Sequence, residues 1–172
     1  MGMKSAALIP VEEYLRTVYR PDCDYVDGEV QERNLGELEH SDLQGELVHF
    51  FRALKKSLKV FAFPELRVQI SGTRFRIPDV CVCVGAKPKE PILNTPPFIC
   101  IEILSPEDRW ARLQERIDDY LKFGVPYVWV INPVDHRAWT CTQGGNAEVR
   151  DGVLRTENPS LAVPLNEVFE EL

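Results

Sequence analysis

Phe98-Ile99-Cys100-Ile101-Glu102-Ile103-Leu104 is apolar at every position but one, and Val80-Cys81-Val82-Cys83-Val84 is apolar throughout. Neither run alternates polar with apolar residues, so both read as interior strands covered on two faces. Between them, Gly85 to Pro97 carries Pro88, Pro91, Pro96 and Pro97 and reads as an exposed loop. Downstream, Pro106 to Phe123 places Trp110, Leu113, Ile117, Tyr120 and Leu121 on one helical stripe, with a stop at Gly124 before Pro126. That spacing assigns Trp110, Tyr120 and Trp129 to core packing. Val125 to Ile131 is then another buried strand.

Upstream, Ser41 to Leu58 repeats Leu43, Leu47, Phe50, Phe51, Leu54 and Leu58 at three- and four-residue steps, a second amphipathic helix. Leu66, Val68 and Ile70 alternate with Arg67, Gln69 and Ser71 as a half-exposed strand should, after which Gly72-Thr73 turns the chain. Asp27-Gly28 marks a tight hairpin within Asp24 to Arg33, and Pro10 to Tyr19 is a short helix. After Arg137 the pattern is a meander of short strands closing in a small helix near Leu165 to Leu172. The order of helices and strands predicts an α/β (α+β) sandwich around a mixed sheet, with residues 1–172 forming a single domain.

The composition narrows the function classes. Charged residues make up 27% of the chain, and its net charge of −7 argues against coating nucleic acid by bulk electrostatics, so such a partner needs a local basic stripe. No apolar run is long enough for a signal peptide or a membrane span, and a cytoplasmic location is expected. The five cysteines are odd in number, and three lie in strand-like runs, which fits reduced core thiols. Cys81-x-Cys83 has the wrong spacing for a zinc site, and no His or Cys pair completes one. Nucleophile elbow, phosphate loop and paired-histidine metal helix are all missing from the sequence.

Glu102 is the residue that carries chemistry, because a carboxylate buried in a strand without a partner costs several kcal/mol. Asp79 makes the same demand where Pro78-Asp79 leads into the Val80 run. Two carboxylates brought together at strand ends need a cation between them. That cation is Mg²⁺, or it is Arg109, Arg112 or Arg116 on the following helix, in which case the carboxylate and arginine bridge only braces the sheet.

Five ordered segments resemble one family. They are Asp24-Tyr-Val-Asp-Gly-Glu-Val followed by His40, Arg76-Ile-Pro-Asp79-Val, Ile101-Glu102-Ile-Leu-Ser-Pro106, Gln114-Glu-Arg116-Ile-Asp-Asp-Tyr120 and Gly124-Val-Pro-Tyr-Val-Trp-Val-Ile-Asn-Pro133. Together they resemble the Uma-two endonuclease family from about Val11 to Phe169. The resemblance implies a restriction-endonuclease-like fold of the PD-(D/E)xK superfamily, a mixed sheet flanked by helices. It implies that Asp79 and Glu102 bind Mg²⁺ or Mn²⁺, with the Ile103 carbonyl as a further ligand and His40 and Asp24 at the rim. It places the family's catalytic lysine at Arg116, while the strand position is Leu104. Arginine stays protonated, so it can neutralise a phosphate but cannot serve as the base that a lysine can. The expected activity is metal-dependent hydrolysis of DNA by a homodimer. The alternative is a catalytically silent dimeric domain that binds nucleic acid or protein. His49 and His136 carry no signal beyond solvated or packed side chains.

Overall fold

The computed structural model describes residues 7–169. The expected helix end between 170 and 172 and the first six residues lie outside the described region. A six-stranded sheet forms the centre. Its order is β10-β9-β8-β7-β6-β3, made from β3 (Val60–Pro64), β6 (Val80–Val84), β7 (Ile99–Ile103), β8 (Tyr127–Ile131), β9 (Ala138–Thr142) and β10 (Gly145–Glu148). Only β7 and β8 run parallel, joined by the crossover helix α4 (Trp110–Phe123); every other pair is antiparallel. Mixed pairing of this kind agrees with the α/β expectation.

The pleat divides the side chains of the central strands between two cores. Val80, Val82, Ile99, Ile101, Ile103, Trp129 and Ile131 face α2 (Leu38–Ala53), α5 (Leu165–Phe169) and the hairpin of β11 (Val153–Thr156) and β12 (Leu161–Pro164). On the opposite face Cys100, Val128, Val130 and Cys141 pack against Leu113, Ile117 and Tyr120 of α4. All five cysteines are buried and free, as expected. Gly124, at φ +105°, ends α4 in the left-handed conformation that its position requires.

A second, four-stranded sheet of order β2-β1-β5-β4 adjoins α4. It is built from β1 (Cys23–Val26), β2 (Glu29–Glu32), β4 (Val68–Ser71) and β5 (Arg74–Arg76). Asp27 and Gly28, at φ 49° and 98°, form the turn between β1 and β2. The short helix α1 (Val11–Arg16) packs Tyr14 on Tyr25 and Phe75 of this sheet.

Three sequence expectations need correction, and one strand carried no expectation of its own. The helix expected over Ser41 to Leu58 starts at Leu38 and breaks at Leu54 into α2 and α3 (Lys55–Leu58), leaving Leu58 exposed. The Gly85–Pro97 loop is not wholly exposed, because Leu93 is buried and bridges Val68. Strand β5 breaks the hydropathy rule, since its Arg76 is 1% exposed. Trp110 is not a core residue. Helix α4 starts at Trp110 rather than Pro106, so the residue occupies the first helical position and the indole is 70% exposed.

Candidate active site

Asp79 and Glu102 meet because of strand register. Val80 pairs with Ile101 across β6 and β7, so one step beyond that pair places Asp79 opposite Glu102 at the sheet end. Glu102 shares the parity of Cys100 and faces α4, as its position in the strand predicts. Asp79 Oδ2 accepts the Ile103 N–H at 2.7 Å, and the Asp79 carbonyl accepts Gln44 Nε2 of α2 at 2.8 Å. An extended residue turns its N–H and C=O to the same edge of the strand. The Ile103 carbonyl therefore faces the Asp79 side too, while the N–H of Leu104 turns the other way to Ile131.

Helix α4 supplies two groups to Glu102 from positions four residues apart, which share one helix face. The Tyr120 hydroxyl donates to Glu102 Oε1 at 2.6 Å, and Arg116 Nε lies 3.0 Å from Oε2. That second contact is an ion pair without hydrogen-bond alignment, for Arg116 Nε is buried and has no aligned acceptor. Arg116 also donates to Asp108 Oδ1 at 3.2 Å. Asp108 is itself fixed by the Ser105 N–H at 2.7 Å and by Asn34 at 3.3 Å.

Asp79 Oδ1 receives two more partners. Arg33, in the connection between β2 and α2, makes a direct ion pair with it, and His40 Nε2 of the first turn of α2 lies 3.4 Å away. Burial opposes the charge on Asp79, yet the His40 hydrogen bond and the Arg33 charge outweigh it and hold the carboxyl below its ordinary value. Burial likewise opposes charge on His40, but Asp79 raises its pKa overall. Glu102 behaves differently. Burial dominates, the neighbouring Asp79 adds repulsion, and the charges of Arg116 and Arg33 do not compensate, so its pKa is pushed up to about 7.

The sequence-derived set Asp79, Glu102, Ile103, Arg116 and His40 therefore converges around a small cavity of about 20 Å³, room for roughly one water or small cation. Asp24 does not join it. Buried in β1, it accepts Arg76 at 3.0 Å and the Ile77 N–H at 3.0 Å, and lines an adjoining cleft of about 410 Å³. Arg76 also binds Asp119 of α4 at 2.7 Å, so this network sets α4 against the second sheet and holds Arg116 and Tyr120 in reach of Glu102. Arg109 lines that cleft as well, at the N-terminus of α4, and makes no ion pair among the described residues.

Arg33, Tyr120 and Asp108 were not singled out from sequence as site residues. The four-residue step from Arg116 to Tyr120 would have flagged the tyrosine. Arg33 left no signal, since a charged residue after a hairpin is ordinarily solvated.

Among the described residues no set of three or more His, Cys, Asp and Glu side chains is arranged to cage a metal. A small hard cation held here would rely on two carboxylates, one carbonyl and water, a donor set that suits Mg²⁺. Three carboxylates (Asp79, Glu102, Asp108) face two guanidiniums (Arg33, Arg116), and Glu102 remains under-compensated. The residues fit a divalent cation, provided that a guanidinium gives way to it.

Comparison with known proteins gives one family and one fold. A family model named Uma2 and described as "Putative restriction endonuclease" matches residues 11–170. The crystal structure of a putative nuclease belonging to DUF820 from Anabaena variabilis superposes with a TM-score of 0.81 at 23% identity, covering 94% of this chain and 98% of that one. That likeness establishes the shared fold. No curated protein sequence matches the chain, and no helix among the described residues is long and apolar enough to cross a membrane.

Proposed function

Because the chain belongs to the Uma2 family, we propose that it is a metal-dependent endonuclease that hydrolyses phosphodiester bonds in DNA. The observation that carries this reading is the register-imposed pairing of Asp79 with Glu102 beside a cation-sized cavity that adjoins a wider cleft. In this reading Asp79, Glu102 and the Ile103 carbonyl hold Mg²⁺ or Mn²⁺. The bound cation supplies an activated water and neutralises charge on the scissile phosphate.

The protein's own groups do the rest. Arg116, tethered to Asp108, places a permanent positive charge beside Glu102 for the phosphate. Tyr120 fixes the Glu102 carboxyl through its 2.6 Å hydrogen bond. His40, one of the partners of Asp79, sits where it can exchange a proton at Nε2. Asp24 acts at one remove by fixing Arg76. The whole chain works as one domain, and a homodimer presents one acid pair to each strand of a duplex.

A second reading has one specific observation in its favour. Arg33 and Arg116 both stand at ion-pair distance from the carboxylates, as they would in a silent domain that binds nucleic acid or protein. Nicking of supercoiled plasmid separates the two. The nuclease reading expects nicking with Mg²⁺ or Mn²⁺ that stops with chelator and in Asp79→Asn. Plasmid that is retained by the protein yet stays intact with either metal would make it a binding module.

A further inference from the structure

Arg33 and Arg116 differ in how many acids stand close to them. Arg116 is tied to two acids, Glu102 at 3.0 Å and Asp108 at 3.2 Å, and Asp108 is pinned by Ser105 and Asn34. Arg33 has one buried acid, Asp79, and a distant contact of 3.8 Å with the half-exposed Glu65. Its backbone is anchored, because the Arg33 N–H donates to the Asp22 carbonyl at 3.3 Å. Only the side chain has to move for the guanidinium to change partner.

Its position offers a place to go. Three cavities adjoin at this end of the sheet: the one of about 20 Å³ at the acid pair and two outer ones of about 410 and 610 Å³. Among the described residues Arg33 and Asn34 are the two that line all three. The guanidinium thus stands between the buried carboxylates and the wider cleft. Asp79 Oδ1, its present partner, is also one of the oxygens a divalent cation would use. A guanidinium and a dication on the same carboxylate repel each other, and a planar fork of N–H donors suits a phosphate as well as it suits a carboxylate.

We propose that Arg33 is an exchangeable cation of this site, paired with Asp79 while no divalent cation is bound and turned outward onto a phosphate oxygen of the DNA when one is. This inference rests on the nuclease reading and adds to it a substrate-contacting residue and a coupling. Asp79 gives up Arg33 only when a dication replaces it, and the freed guanidinium then strengthens the hold on the phosphodiester. Cation and DNA therefore reinforce each other's binding through one side chain, and by linkage the reinforcement is reciprocal.

Calcium, a hard divalent cation that takes carboxylate and carbonyl oxygens, is the probe. Ca²⁺ affinity is measured by calorimetry, and affinity for a labelled DNA duplex by anisotropy with and without Ca²⁺, for wild type, Arg33→Gln and Arg33→Lys. With its competitor gone, Arg33→Gln should bind Ca²⁺ about five-fold or more tightly than wild type, and Ca²⁺ should strengthen its duplex binding about five-fold less. Arg33→Lys, which keeps the charge without the fork, should fall between and guards against a folding defect in the glutamine variant. Ca²⁺ affinity and duplex strengthening that match wild type in both variants would overturn the role of Arg33 and leave the metal site standing. Absence of Ca²⁺ binding in all three proteins would overturn the metal-site reading and this inference together.

Discussion

Replacing Glu102 with Gln tests the electrostatics of the site without emptying it. The amide keeps an acceptor for the Tyr120 hydroxyl and nearly the same volume, while Arg116 retains Asp108 at 3.2 Å. Glu102 is buried, with its pKa pushed from 4.5 to about 7, so the folded protein holds a proton that the unfolded chain has released. Stability therefore falls as pH rises through this window, since the native state binds more protons than the unfolded state. Between about pH 5.5 and 8.5 that loss amounts to about 2 kcal/mol for the pKa values 4.5 and 7. Glutamine has no proton to lose. Urea denaturation of both proteins across this range should show the variant gaining about 2 kcal/mol on wild type with rising pH. His40, whose raised pKa also makes stability fall as pH rises, contributes to both curves and largely drops out of their difference. A difference that stays flat across the range would refute the claim that Arg116 and Arg33 leave Glu102 under-compensated.

Arg76→Leu should destabilise the protein by about 3–5 kcal/mol in urea, because Asp24 is then left buried without its cation and Asp119 keeps only Arg74. Tyr120→Phe should cost about 1–2 kcal/mol, and it should raise the Glu102 pKa further by removing a donor to its carboxylate, which the pH dependence of unfolding would report. Trp110→Ala should change stability by no more than about 0.5 kcal/mol, as befits a side chain 70% exposed. A loss of several kcal/mol there would restore Trp110 to the core.

Legibility from sequence followed how each residue is buried. Strands β6, β7 and β8 and the stripes of α2 and α4 are buried by hydrophobicity, so their residue types and spacing disclose them. Strand β5 is buried by ion pairs. Arg74 and Arg76 flank one Phe, and their charges are met by Asp24, Asp27 and Asp119 from β1, the β1–β2 turn and α4. Partners so far apart in the chain cannot be read from local pattern, and with β5 the second sheet escaped notice. Glu102 was legible for the converse reason, as a charge inside an apolar run. Register supplied what sequence could not, that Asp79 lies opposite Glu102. Trp110 shows the limit of helical periodicity, which assigns a face but not where the helix begins.

The central claim is that Asp79 and Glu102 form a cation site from which a guanidinium withdraws. Its most direct test is a crystal structure of the wild-type protein in saturating Mn²⁺, with anomalous scattering used to find the metal. The account predicts a peak between the two carboxylates, about 2.0–2.6 Å from their oxygens, with Arg33 turned away from Asp79. A map without that peak, with Arg33 on Asp79 and Arg116 on Glu102 as they stand now, would contradict it and leave the acid pair as a brace for the sheet.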